Sequence, residues 1–338
     1  MASADLPPDI TAETSLMQQL RGFVVTQAMH AAAELGVMDI LAGGPKTVSE
    51  IASEAGAHEL ALRRLLRFLT ATDLLTEDPG GRFAPTALGA LLRADHPQSI
   101  KAWAVVFGSP QFWQPWGQLT QTIRTGQPGF NLAFGEPHFT FLSQHPDDAA
   151  AFNAAMTSGT RSHMGAILNA YDFSGFARIV DVGGGQGGLL RAILERCPAA
   201  HGVLFDMPST IPGELNGSAV ADRCEFSGGD MFQAVPMAGD AYVLKWILHD
   251  WSDAEGIQLL RNIRQSIRTD GKLIVIERLI GPLNQPDPVK WGDMMMLVML
   301  TGRERTEVEF RDMFAAAGFK LTRVAPAGEF EVIEGEPV

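Results

Sequence analysis

Asp181-Val182-Gly183-Gly184-Gly185-Gln186-Gly187-Gly188 is the stretch that decides the fold. It follows a short β-type run, Ala177 to Val182, and precedes a helical run, Leu189 to Arg196. Glycines between a strand and a helix permit a tight turn and let a ligand approach the backbone closely. Gly183, Gly185 and Gly188 fit G-x-G-x-x-G literally, but a plain strand-to-helix turn fits it too. Outward from this loop, strand-like runs at Gly202 to Phe205, Ala241 to Leu244 and Leu273 to Glu277 alternate with helical runs at Ile257 to Ile267 and Phe310 to Ala317. Such alternation predicts a parallel, doubly wound α/β sheet.

Acidic residues beside the loop narrow the ligand. Asp206 closes the strand after the glycines, at the spacing where a carboxylate grips ribose hydroxyls. NAD and S-adenosylmethionine sites share that feature. Asp181 precedes the glycines, where a negative charge suits a cationic ligand better than a pyrophosphate. In the turn Gly228-Gly-Asp-Met-Phe232, Asp230 is placed to accept from an adenine amino group and Met231 to pack on the ring. His249, in Lys245-Trp-Ile-Leu-His-Asp-Trp251, follows a strand and falls near the carboxyl edge of the sheet, where α/β ligands bind. An imidazole is a base near neutral pH, and Glu277 and Glu304 are carboxylates able to steer it. Asp250 reads as a structural hydrogen-bonding residue.

The N-terminal half reads differently. Leu16, Leu20, Phe23, Val24, Gln27, Ala28, Ala31 and Leu35 recur at helical spacing up to a stop at Gly36. Helical runs at Val48 to Ala55 and Glu59 to Thr70, then a hairpin turning at Asp78-Pro-Gly-Gly81, make a winged-helix pattern. Between Lys46 and Arg93 there are six Lys/Arg and six Asp/Glu, and the whole chain carries a formal charge of -13. Phosphate attraction dominates nucleic-acid affinity, so the module reads as a packing unit. Residues 94–170 are expected to be mostly helical and are rich in aromatics. The 338 residues are 46% hydrophobic and 19% charged, as in a protein with a large core. Two cysteines make no disulfide framework or zinc site, and the eight histidines are scattered, so no metal constellation is expected. The start, MASADLPPDITAETS, lacks a basic and an apolar signal region, and the longest apolar run, Met294 to Leu300, is too short for a membrane helix. A cytoplasmic protein is expected.

The strings DVGGGQGG, FDMP, GGDMF, KWILHDWSD and GRERTEVEFRDMF, between Asp181 and Phe314, resemble those of the plant-type caffeic acid and flavonoid O-methyltransferases and their bacterial relatives, in the same order. The N-terminal helices and winged-helix module resemble that family's dimerisation domain. The resemblance implies a Rossmann-like catalytic domain over residues 171–338, a helical winged-helix dimerisation domain over 1–95 and a helical connection over 96–170 that contributes to the substrate pocket. It implies S-adenosylmethionine held by Gly183, Gly185, Asp206, Asp230, Met231 and Lys245, with Asp181 and Trp246 beside them. It implies His249 as general base flanked by Glu277 and Glu304, with Phe152, Met156, Met295, Met296 and Met299 against a small aromatic hydroxylated acceptor. It also implies a homodimer. Met299-Leu-Thr301 stands where plant members place an asparagine-containing loop, and the many alanines resemble bacterial members acting on secondary metabolites. N- or C-methylation, a fold repurposed for decarboxylation, hydroxylation or pericyclic chemistry, an NAD oxidoreductase and a ligand-sensing transcription factor remain competing readings.

Overall fold

The computed structural model describes residues 12–210, 213 and 215–338. Residues 1–11 lie outside them. Two compact units divide the chain, Met1–Gln114 with Pro146–Ser158, and Pro115–His145 with Gly159–Val338.

In the first unit the expected long N-terminal helix is two, Ala12–Leu20 and Gly22–Glu34. The winged-helix pattern is present. Thr47 and Glu50 form a capping box that starts the helix Val48–Ala55, and Gly56, in the left-handed region, ends it. The helix Glu59–Ala71 buries Leu62, Leu66 and Leu69, one face at helical spacing. Three short strands, β1 (Lys46–Thr47), β2 (Leu75–Glu77) and β3 (Arg82–Pro85), pair antiparallel in the order β1-β3-β2. Leu16, Leu20 and Phe23 are each more than half exposed, so the apolar face of the first two helices is uncovered within this chain.

The second unit holds a seven-stranded sheet. Its strands are β4 (Arg178–Val182), β5 (His201–Asp206), β6 (Cys224–Gly228), β7 (Ala241–Lys245), β8 (Lys272–Glu277), β9 (Phe319–Ala327) and β10 (Phe330–Pro337). Their order is β6-β5-β4-β7-β8-β10-β9. The first five strands in that order are parallel, and β10 pairs antiparallel with both β8 and β9. The sheet is thus parallel except for a terminal hairpin that the strand pattern does not predict.

Period-two alternation sends side chains to both faces. Val180, Val182, Tyr242, Leu244, Leu273 and Val275 pack on one face with Leu259, Leu260 and Ile263 of the helix Asp253–Ser266 and Phe310, Met313 and Phe314 of the helix Glu307–Ala316. Ile179, Val243, Ile274 and Ile276 pack on the other with Leu189, Leu190, Ile193 and Leu194 of the helix Gly188–Arg196. Each such buried aliphatic contributes roughly 1.5–3 kcal/mol by leaving water. Helices on both faces leave the carboxyl edge of the parallel strands for ligands. The chain order reverses at β4, between β5 and β7, which makes a crevice at that edge. Among the described residues no helix is long and apolar enough to cross a membrane.

Candidate active site

The glycine loop leaves β4 through three left-handed residues, Gly183 (φ 71°), Gly185 (φ 57°) and Gly187 (φ 82°). At Gly183 a Cβ would lie 2.4 Å from Ile247 Cδ1, so side chains are excluded twice over. At Gly185 a Cβ would meet nothing within 4 Å, so this turn faces open space. The Gly185 N–H donates to Asp206 Oδ2 at 2.8 Å, and Asp206 Oδ1 accepts from Met207 N at 2.7 Å and Thr210 Oγ1 at 2.8 Å. A carboxylate has about four lone-pair sites, so Asp206 keeps capacity for a hydroxyl donor. Asp230 Oδ1 accepts from Phe232 N at 2.9 Å and its Oδ2 from Gln233 Nε2 at 3.1 Å, which folds the acidic turn upon itself. Met231 is half-buried, its carbonyl accepting from Asn262 Nδ2 at 2.9 Å.

Asp181, expected to face a cationic ligand, lies under the loop and is 2% exposed. A Cβ on Gly184 would stand 2.5 Å from its Oδ2. Burial, then Asp206, push this carboxyl up to about 7, against the pull of Lys245 and the Leu190 N–H. Its place is beneath the loop, at the start of the helix Gly188–Arg196. Alternation carries the signal for this: Asp181 shares a face with Ile179, the face covered by the helix Gly188–Arg196, and opposes Val180 and Val182.

Lys245 ends β7. Its Nζ donates to Thr160 Oγ1 at 3.1 Å and sits 4.0 Å from the centroid of the Trp246 ring. Burial brings the ammonium down to about 7, against Glu277 and Asp181. Trp246 has φ 55°, a left-handed conformation costly for a bulky residue and commonly retained where function needs it. Its ring lies nearly parallel to His249, with centroids 6.2 Å apart.

His249 occupies the short 3-10 turn Leu248–Asp250 after β7. Its side chain is 11% exposed, and Nδ1 is 3.0 Å from Oε1 of Glu304, itself 2% exposed. Glu277, at the end of β8, is fully buried and does something else. Its Oε1 accepts from the N–H groups of Ile247 at 3.0 Å, Leu248 at 2.9 Å and His249 at 3.4 Å. It holds the turn's backbone, whereas Glu304 holds the ring. Asp250 is closer than its structural reading implies, with Oδ1 3.3 Å from His249 Nε2. Burial pulls the imidazole down, but Glu277, Asp250 and Glu304 outweigh it and raise it to about 9. Asp250 itself is raised to about 7 by burial, against His249.

His249, Glu277 and Glu304 place one ligand-type atom each within 4.8 Å of the other two. The three are the imidazole and the two carboxylates expected to flank it, brought together from three separate segments. A proton already bridges the closest pair at hydrogen-bond distance.

On the helix Val289–Met299, Met294 is 36% exposed, Met295 is half-buried, and Met296 (8%) and Met299 (2%) point into the interior. Phe152 and Met156 are partly buried on the helix Pro146–Ala170, within the first unit. Sequence reasoning missed Thr160, Arg305 and Gly302. A Cβ on Gly302 would lie 2.0 Å from the His249 carbonyl oxygen, and no local pattern reveals that contact.

Residues 116–320 match the model of an O-methyltransferase domain, and residues 17–95 that of an O-methyltransferase dimerisation domain. The phenazine O-methyltransferase PhzM of Lysobacter antibioticus is 39% identical, the match covering 96% of each chain. The 8-amino-8-demethylriboflavin N,N-dimethyltransferase of Streptomyces davaonensis is 35% identical, over 97% of this chain and 96% of that one. The solved structure of LaPhzM superposes with TM-score 0.94 at 38% identity, covering 97% of this chain and all of that one. That of NcsB1 from neocarzinostatin biosynthesis, in complex with S-adenosylmethionine and 2-hydroxy-5-methyl naphthoic acid, gives TM-score 0.85 at 30% identity, with coverages of 95% and 98%. With both domain models matched in order and the glycine loop, acidic turns and buried histidine assembled on one sheet edge, the chain belongs to the S-adenosylmethionine-dependent O-methyltransferase family.

Proposed function

We propose that this protein methylates a hydroxyl of a small aromatic secondary metabolite, with His249 as the general base. The observation that carries the reading is the His249–Glu304 pair, Nδ1 to Oε1 at 3.0 Å, in a nearly closed site. Glu304 fixes the tautomer with the proton on Nδ1, so that Nε2, 3.3 Å from Asp250 Oδ1, is the acceptor once the imidazole is neutral. An unperturbed phenol has a pKa near 10 and an imidazole one near 6.5, a mismatch that weakens proton transfer. Three carboxylates that raise His249 to about 9 bring the two close together.

The residues present fit the cofactor. Gly185 turns open backbone toward it, Asp206 retains acceptor capacity for ribose, and Asp230 with Met231 would hold the adenine. Lys245, at the carboxyl end of β7, would meet its carboxylate. When bound, S-adenosylmethionine supplies an electrophilic methyl and a positive charge. His249 gives up its resting proton more readily beside a cation, by ordinary repulsion. Met295 and Met296 would give the acceptor an adaptable apolar wall. The uncovered face of the first two helices, in a matched dimerisation domain, supports a homodimer.

The riboflavin relative favours a second reading, transfer to an aromatic nitrogen. The test is to incubate the protein with methyl-labelled S-adenosylmethionine and a panel of phenols, hydroxynaphthoates, hydroxyphenazines and aromatic amines, beside His249→Ala. Calorimetry with S-adenosylhomocysteine shows that both proteins bind ligand. Label on oxygen, lost by about 10² to 10⁴ in rate in the variant, is the expected result. Label on nitrogen alone supports the second reading. Equal rates in both proteins remove His249 from the chemistry.

A further inference from the structure

We infer that Arg305 is a positioning residue for the base, holding the carbonyl side of the His249 turn as Glu277 holds its amide side; this rests on the proposed role of His249. Arg305 is the largest fully buried side chain, at 0% exposure. A guanidinium has five N–H donors, and here each has an acceptor. Nε donates to Asp253 Oδ1 at 2.9 Å. Nη1 donates to the Leu248 carbonyl at 2.7 Å and the Arg303 carbonyl at 3.3 Å. Nη2 donates to the Trp251 carbonyl at 2.8 Å and pairs with Asp253 Oδ1 at 2.8 Å. No donor remains for a substrate or cofactor, so any effect on the reaction passes through the backbone.

The two carbonyls it grips, of Leu248 and Trp251, flank His249 and Asp250 on either side. Both grips also share one support. Glu277 ends β8, and just beyond it Leu279 bridges to Arg305 while the Ile280 N–H donates to the Arg305 carbonyl at 3.0 Å. The turn therefore sits between a carboxylate on its N–H groups and a guanidinium on its carbonyls, the arrangement that suits its dipole. Burying a guanidinium is costly, and a well-packed apolar side chain is often as stable. Retaining the charge here makes sense if it fixes where the imidazole stands. Lysine, with three donors radiating from one point, cannot span both carbonyls.

The experiment compares Arg305→Lys and Arg305→Met with Arg264→Lys. Arg264 also bonds two carbonyls, those of Gly318 at 3.0 Å and Val338 at 2.8 Å, but none in the His249 turn. Each variant is measured for melting temperature, S-adenosylhomocysteine affinity, kcat and KM, and the downfield proton signal of the His249 imidazole N–H. Displacing a reacting group by about 1 Å costs about 10²-fold. Both Arg305 variants should lose about that in kcat, with KM and cofactor affinity within about threefold, and should lose or shift the proton signal. Arg264→Lys should keep both kcat and signal even where it melts earlier. The inference is overturned if a folded Arg305 variant keeps kcat and signal, or if Arg264→Lys loses kcat in step with its melting temperature as the Arg305 variants do. If wild type methylates nothing in the panel, the proposed function fails, and the proton signal still reports whether Arg305 holds the ring.

Discussion

Replacing Glu304 with glutamine removes one charge at 3.0 Å from His249 Nδ1 and keeps the side chain's shape. Removing an anion favours the neutral imidazole, so its pKa must fall. The cluster raises His249 from 6.5 to about 9 despite burial. At about 1.36 kcal/mol per pH unit, that is a net preference for imidazolium on the order of 3 kcal/mol. Three carboxylates share it, and Glu304 alone bonds Nδ1 directly. The carboxylates together offset burial as well as raise the imidazole, so loss of the Glu304 charge lowers the pKa by on the order of one unit. With a pKa of about 9 only about 1% of the imidazole is neutral at pH 7, so kcat/KM should rise about tenfold per unit and level off at about pH 9, or below it where the bound cofactor's positive charge lowers that pKa. In Glu304→Gln the rise should level off at least about one unit earlier. The plateau should also drop by about 10²-fold, because the amide can flip and donate to Nδ1, favouring the wrong tautomer. The assay is label transfer from pH 6 to 10, with an acceptor whose own hydroxyl titrates outside the observed rise. A rise that stays at the same pH, or moves upward, would refute the assignment of Glu304 as the charge beside the base.

Three further outcomes are expected. Gly302→Ala drives a methyl into the His249 carbonyl, 2.0 Å away, so thermal unfolding should show a loss of roughly 1–3 kcal/mol together with lost turnover; an unchanged melt would contradict the packing. Asp181 has a folded pKa of about 7 against 3.8, so its ionisation costs stability, a penalty absent below about pH 4 and full above about pH 7. Asp181→Asn should therefore gain over wild type through that window, by about 4 kcal/mol at most, and melts that differ equally at pH 4 and pH 8 would exclude it. Since a proton completes the His249–Glu304 pair, EDTA should leave the methyl-transfer rate unchanged, and a rate restored only by added divalent ion would assign a metal role to the cluster.

Much of the catalytic unit is legible along the chain because its signals are local. A strand, a glycine cluster and an acid at the next strand end occupy a few dozen residues, and β-branched runs locate β4, β7 and β8. The terminal hairpin escapes because Pro326 interrupts the expected strand chemistry in β9 and a register shift at Glu334/Gly335 breaks the alternation in β10. Division of labour around His249 escapes for a different reason. Glu277 and Glu304 are equivalent as carboxylates, and only their approach, one to backbone N–H groups and one to the ring, separates them. Arg305 hides in the same way, since the two carbonyls it grips in the His249 turn lie more than fifty residues earlier and any sequence could provide them. Methionine spacing on the helix Val289–Met299 shows a cluster but not its inward turn at Met299.

The place of β10 has a consequence for synthesis. It lies between β8 and β9, yet it is the last strand in the chain. Until residues 330–337 emerge from the ribosome, β8 presents an open edge of unpaired backbone groups beside the His249 turn, and β9 has no partner in the sheet. Such edges invite pairing with other chains. Until β10 is made the chain can therefore form its glycine loop but cannot close its sheet, and deleting residues 330–338 should yield aggregation rather than a slightly weakened protein.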